Sequence, residues 1–419
     1  MNGSTRLLMK KDPHTRRRID SIGSVLSAVR PVSTARRLVR DYARKVYHPL
    51  ADLLGTYPSP LAIDRQRLQA ICRRHGTLSY YGTSEVVEFA SSDSAGGPEE
   101  LIERRAGEHL IPTPFVGELP GVTLVGRYPT PIYDRRAVIE AVGREDVALL
   151  NVLYSITEGG PVGRTDDVRT LDRAALLHNC WADGYFHWIT EGLTRLEGVE
   201  RYAERTGERP PLVVGPNPSG FRTESLRLLG YDESDWIEWD GTTTVVSRLV
   251  VPSMRRRNDR SSGAGPVASE WLSGRLRDAV AGRVDADRFS SRVYVSRADA
   301  DRRRIVNEPG VMEVLSEYGF ESYRLAEMSV AENVALFAGA EYVVAPHGAG
   351  LTNLLFAEDA SVVELARSNY SPTYFGLSQC VGHRHRYLDC EPRGVDLMVD
   401  LEALDDAVGE ALSTREAEG

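Results

Sequence analysis

Between Glu341 and Phe356 the chain reads EYVVAPHGAGLTNLLF. The apolar run predicts a buried strand, HGAG a tight turn, and the pattern after it a helix. Glycines let a ligand approach the backbone closely. A helix N-terminus adds free N–H groups and the positive end of its dipole. Together these suit capture of an anion. Gly348 and Gly350, with Ala349 between them, would admit it, and Thr352 and Asn353 would add side-chain hydrogen bonds from the first turn. His347 would reach the anion or a group beside it. The same text also fits an ordinary strand-to-helix turn with a capping histidine.

A second cluster lies upstream, in VYVSRADADRRRIVNE (293–308). Ser296 and Arg297 sit where a predicted strand ends, and Arg304 follows before a predicted helix. Guanidinium forks match phosphate oxygens and keep their charge. Fixed cations of this kind would stabilise a departing diphosphate as its charge develops. Arg302 and Arg303 read as solvated neighbours. Asp299-Ala300-Asp301 has the D-x-D spacing that holds Mn²⁺ or Mg²⁺ against diphosphates, but the arginines around it oppose a cation site. No metal is expected.

The third cluster is HNCWADGYFHWITEGLTRL (178–196). As one helix it would put Asp183, His187 and Glu191 on a single stripe, with Phe186, Ile189, Leu193 and Leu196 opposite. A carboxylate one turn from a histidine fixes its tautomer and raises its basicity, so the pair could take a proton from a hydroxyl. The alternative is a plain polar face with Asp183 as N-cap. Trp181, Tyr185 and Trp188 suit stacking on a sugar or simple core filling. Glu364, in SVVEL, would point into the same cleft and suit a ribose diol. His383 and His385 share a strand face but lack a third metal ligand.

These groups need a scaffold. Short apolar runs at 147–154, 211–215 and 247–252 alternate with helical patterns. A clearer alternation follows from RVYVSR (292–297) to SVVELA (361–366). Such alternation predicts parallel sheets covered by helices, with ligands beyond the strands' carboxyl ends. The divisions expected are a basic, helical extension (1–105), a first Rossmann-like domain (106–265) and a second, donor-binding one (266–419). The polar stretches 91–100 and 255–266 read as linkers.

At 419 residues, 42% hydrophobic and 26% charged, the chain is globular and too long for one ordinary core. Cys72, Cys180, Cys380 and Cys390 are scattered, which argues against a disulfide framework or structural zinc. No run is apolar enough to span a bilayer and no leader pattern is visible, so a cytoplasmic location is expected. The net charge is −9, yet residues 1–50 are rich in Arg and Lys. That basic arm would either meet an anionic membrane surface or form a solvated helix packed on the body. An acidic body without aromatic-basic interleaving argues against nucleic acid.

In their order, DGYFHWITEGLTRL (183–196), YVSRADADRRRIVNE (294–308) and the run 320–365 resemble family 61 of the glycosyltransferases. The likeness spans roughly 110–390 and leaves 1–105 uncovered. It implies a GT-B architecture, two Rossmann-like domains facing a cleft. It also implies an inverting, metal-independent transferase that uses a nucleotide-diphosphate sugar, often UDP-linked, with no further cofactor and a glycan or lipid-linked glycan as acceptor. By that resemblance Arg297 and Arg304 face the diphosphate, residues 347–350, 352 and 353 form the donor loop, and Glu308 and Glu364 are acidic donor-domain positions. His187 and Glu191 fill polar positions of the first-domain motif, while Asp183 stands where an amide is expected. Rival readings are another nucleotide-sugar enzyme, a Rossmann oxidoreductase (without the G-x-G-x-x-G expected for one), or a non-catalytic nucleotide or glycan binder.

Overall fold

The valine-rich runs of the second half form strands buried on both faces, as continuous apolar text demands. In the computed structural model, β8 (Arg292–Val295), β9 (Glu321–Tyr323), β10 (Tyr342–Pro346), β11 (Ser361–Ala366) and β12 (Arg384–Asp389) make a wholly parallel sheet ordered β9-β8-β10-β11-β12. Side chains alternate across it: Val293 and Val295 enter one core, Tyr294 another. The structure describes residues 62–90, 98–126, 128–143, 148, 168–256 and 263–418. The basic arm, the expected helix at 36–54 and the expected strand at 147–154 fall outside them, apart from Ala148, as do most of the expected linker at 91–100 and half of that at 255–266.

Helices cover both faces of this sheet. α4 (Glu308–Glu317) and α7 (Leu401–Glu418) bury Val311, Leu315, Leu404 and Val408 on the Tyr294 side. α3 (Pro266–Val280) and α5 (Val330–Ala338) bury Leu272, Leu276, Val334 and Phe337 on the other. A reciprocal capping box starts α5, Ser329 Oγ accepting from Glu332 N at 3.1 Å and Glu332 Oε2 accepting from Ser329 N at 2.8 Å. Burying each such apolar side chain contributes roughly 1.5–3 kcal/mol.

The first half departs from expectation. Its sheet is mixed: β3-β2-β1-β7-β4-β5-β6, from β1 (Phe115–Val125), β2 (Thr130–Tyr133), β3 (Arg136–Val138), β4 (Arg169–Leu176), β5 (Leu212–Val214), β6 (Trp236–Glu238) and β7 (Thr244–Pro252). β7, β4, β5 and β6 run parallel, but β1 pairs antiparallel to β7 along its length. The sequence FVGELPGVTLV hid this strand, because its proline and glycines read as breakers. Gly117 is there for space, since a Cβ would collide with Cys72 Sγ from the helix Arg65–Arg74. Residues from Ile63 onward form one compact unit, and α1 (Leu196–Thr206), ended by left-handed Gly207, shares the core with both sheets.

Arg195 is wholly buried, and among the described residues no carboxylate bonds it. Its guanidinium donates to Pro252 O at 3.1 and 3.0 Å, to Ala141 O at 3.2 Å and to Leu177 O at 3.4 Å. Burial pulls its pKa down to about 10. Among the described residues no helix is long and apolar enough to cross a membrane.

Candidate active site

The parallel sheet reverses its winding between β8 and β10, and their carboxyl ends carry the two clusters picked out above. Crevices at such reversals are where open α/β sheets bind ligands. After β8 come Ser296 and Arg297; after β10 come His347 and Gly348. The two loops touch. Arg297 lies so close on Gly348 that a Cβ there would overlap its guanidinium, and Gly350 packs against Val295 and Leu325, where a Cβ would sit 3.1 Å from each. The segment after the turn, Ala349–Phe356, is a 3₁₀ helix rather than the expected α-helix, closed by Leu351 N donating to Gly348 O at 3.0 Å. Its first N–H groups still point out of its start.

A cleft of 590 Å³ opens here, lined by Arg297, Ser296, Asp299, Ala349, Gly350 and Asn353 on the parallel-sheet side and by Tyr185, Phe221 and Glu224 opposite. Tyr185 spans it, donating to Asn353 Oδ1 at 2.6 Å, while Asn353 Nδ2 donates to Gly350 O at 3.0 Å. Thr352 contributes nothing to the cleft wall. It is buried, and its hydroxyl finds no partner among the described residues.

Arg297 and Arg304 are not equivalent. Arg304 Nε and Nη2 donate to Asp396 Oδ2 at 3.1 and 2.6 Å, its backbone N donates to Asp396 Oδ1 at 3.0 Å, and it stands off the cleft. The partner is 92 residues downstream, beyond the reach of local text. Arg303, with a left-handed φ of 59°, turns the other way and lies 5.9 Å from the Tyr370 ring. Burial lowers the pKa of Arg297, and the charge of Arg303 adds to that effect.

The two glutamates expected at the donor act beneath the surface instead. Glu308 Oε1 accepts from Tyr294 Oη at 2.9 Å and Ser296 Oγ at 2.8 Å, pinning the end of β8. Glu364 is fully buried and does not reach the cleft. One carboxylate oxygen takes His347 Nδ1 in a short bond, the other takes His385 Nε2 at 3.0 Å, and His385 Nδ1 meets Ser378 Oγ at 2.8 Å. Burial works to raise the Glu364 pKa, but the two histidines outweigh it and hold the carboxylate below its usual range. His347 therefore has its Nδ1 fixed, and its ring is flanked by Tyr370 at 5.0 Å and Tyr374 at 5.1 Å. His383 is separate: its Nε2 donates to Leu354 O at 2.8 Å, and its Nδ1 accepts from Ala360 N at 3.2 Å.

The third cluster is a helix with a fault in it. An α turn at Tyr185–His187 gives way to a π turn at Trp188–Gly192 and a 3₁₀ turn at Leu193–Arg195. The hydroxyls of Thr190 and Thr194 donate to the carbonyls four residues back, at 2.8 and 2.9 Å, and loosen the backbone ladder. Asp183 precedes this helix and pairs with Arg222 at 3.0 Å, away from the expected stripe. His187 and Glu191 remain together, Nδ1 to Oε2 at 3.3 Å, close enough for an ion pair but off the line of a good hydrogen bond. Glu191 is 2% exposed and takes Asn179 Nδ2 at 2.9 Å and Arg256 Nη1 at 3.3 Å. Burial alone would raise its pKa, but His187, Arg256 and Asn179 together hold it low. Trp181 stacks on His187 at 5.5 Å. Phe186 touches His187 at 5.3 Å and Tyr374 at 5.7 Å, so a line of rings joins the two histidine–glutamate pairs.

Asn179, Arg256, Tyr370 and Tyr374 are additions to the residues read from sequence, Tyr185 bonds across the cleft where stacking or core filling was expected, and Arg303, expected as a solvated neighbour, is half-buried against Tyr370. Arg256 and Arg303 each sit inside a run of three arginines, and only the folded backbone tells where each member goes, Arg255 being buried against Glu197 and Arg256 half-buried beside Glu191. Residues 185–363 match a family model described as Glycosyltransferase 61. The matched stretch holds both histidine turns and the arginine loop between them, so the chain carries a glycosyltransferase domain. That stretch is similar to glycosyltransferase family 61. No curated protein matches the chain.

Proposed function

We propose that the protein transfers a sugar from a nucleoside-diphosphate donor to a hydroxyl of a glycan or lipid-linked glycan, with inversion and without a metal. The observation that carries this is the contact of Arg297 with the Gly348 turn at the sheet's winding reversal, at the mouth of a cleft large enough for a nucleotide sugar. There a diphosphate would meet the Arg297 guanidinium and the N–H groups of Ala349 and Gly350, so charge on the leaving group is stabilised where it develops, while His347 is buried beside the turn and does not line the cleft. Arg297, not Asp299, leads into the turn, and the arginines around Asp299 favour an anion over a cation.

His187, two residues from Tyr185 of the opposite wall but not itself among the residues lining the cleft, is the candidate base for the acceptor hydroxyl, backed by Glu191. In this reading residues 106–265 and 266–419 act as the two facing lobes of a GT-B enzyme, and UDP is the favoured nucleotide. The basic text of residues 1–50 supports a peripheral position on the cytoplasmic face of an anionic membrane.

The test is thermal stabilisation by UDP in the presence of EDTA, together with sugar transfer, in wild type and Arg297→Gln. The wild type should be stabilised without metal. The variant should keep its fold by circular dichroism and lose about 100-fold or more in transfer rate. Normal turnover in Arg297→Gln sinks the reading.

A further inference from the structure

Beside the donor turn stands a surplus of positive charge that one diphosphate does not use. Tyr370 follows β11 and packs on His347. The guanidinium of Arg303 lies 5.9 Å from its ring centroid and that of Arg367 lies 6.0 Å from it. None of the three lines the 590 Å³ cleft. Among the described residues no carboxylate is within ion-pair distance of Arg297, Arg303 or Arg367, whereas neighbouring Arg304 is neutralised by Asp396. This is a chain of net charge −9, with carboxylates to spare. Arg303 also holds a left-handed backbone, φ 59°, which is uncommon without glycine. That turn is what sends Arg303 toward Tyr370 while Arg304 goes to Asp396.

We propose that Arg303, Tyr370 and Arg367 form a second anion subsite, next to the diphosphate site, for a carboxylate or phosphate carried by the sugar substrate. The tyrosine face would take the flat side of a sugar ring, and the two guanidiniums held on it would grip the charged substituent. A neutral sugar would leave both cations unpaired, so the subsite selects acidic glycans such as uronic acids or sugar phosphates. The inference rests on the glycosyltransferase reading for its biological meaning, but not for the binding itself.

The experiment is calorimetric titration of the full chain with glucuronate, glycerol 1-phosphate and glucose, each with and without saturating UDP. The variants are Arg367→Gln and Arg303→Asn, the latter chosen because asparagine tolerates the left-handed backbone. The expected result is that at least one anionic probe binds on top of UDP and glucose does not. Both variants should weaken that probe about tenfold or more, with UDP affinity held within about twofold. Which probe binds tells carboxylate from phosphate. The proposal is overturned if neither anion adds to the UDP-bound chain, or if the variants weaken UDP as much as the probe. If UDP itself does not bind while an anion binds through Arg367, the subsite stands and the donor reading falls.

Discussion

Glu364 is where residue identity matters most. A carboxylate with no exposed surface, shared by two imidazoles, fixes which nitrogen of His347 faces outward. Such buried partners of a functional histidine commonly matter by 10–100-fold where measured at metal sites. Glu364→Gln keeps the shape but removes the charge and offers an amide N–H to one of the imidazoles. Sugar transfer should drop by about tenfold or more, with a displaced pH–rate profile. An unchanged profile would mean His347 is held by its tyrosine neighbours alone. His178 supplies a second test. Among the described residues both its ring nitrogens lack partners, and burial pushes its pKa from 6.5 down to about 4. The unfolded chain takes up this proton near the ordinary value and the folded one only near 4. Between the two the unfolded state binds more protons, so stability falls as pH falls. His178→Phe should flatten that slope, by about 3 kcal/mol across the window, in urea melts at several pH values. Neither role was legible in sequence. His347 could be picked out from its glycines, but its partner's burial, like the pairing of Arg304 with Asp396, comes from long-range packing.

At the scale of the element, the donor turn depends on a missing side chain more than on unusual backbone. Gly348 is extended, a conformation any residue adopts, so its use is to let Arg297 lie against it. Gly348→Ala should therefore push aside a flexible guanidinium, not break the fold. UDP affinity should fall about tenfold, the worth of one charge-assisted contact, while the melting temperature stays near wild type. A large loss of stability would mean that the glycine serves the backbone instead. Continuous apolar runs did reveal β10 and β11, because such text has little else to become. The π turn at Trp188–Gly192 was not readable, since one helical period was assumed throughout. Asp183 was misplaced for a different reason, because it lies before the helix start at Tyr185, whereas His187 and Glu191 stay in contact across the π turn.

Across the whole molecule, the tyrosine–asparagine bond between Tyr185 and Asn353 links the helix after β4 to the turn after β10. Tyr185→Phe should leave the core intact and raise KM for the donor about tenfold, with a smaller change in kcat, because one polar link of the cleft wall is lost. Equal losses in both constants would instead point to a part in the chemistry. Alternation of strand and helix text foretold two sheets, but not that β1 turns the first into a mixed one. Burial of Arg195 has a consequence for this layout. Its guanidinium clasps carbonyls from three separate crossings of the chain, and with a pKa of about 10 it stays charged at any pH a cell reaches. One of those crossings, Pro252, leads within four residues to Arg256 and its hold on Glu191. The acid behind the candidate base is thus anchored to a clamp indifferent to acidity and to whether any substrate is present. The candidate base is braced by the fold itself, with no ligand needed to set it in place.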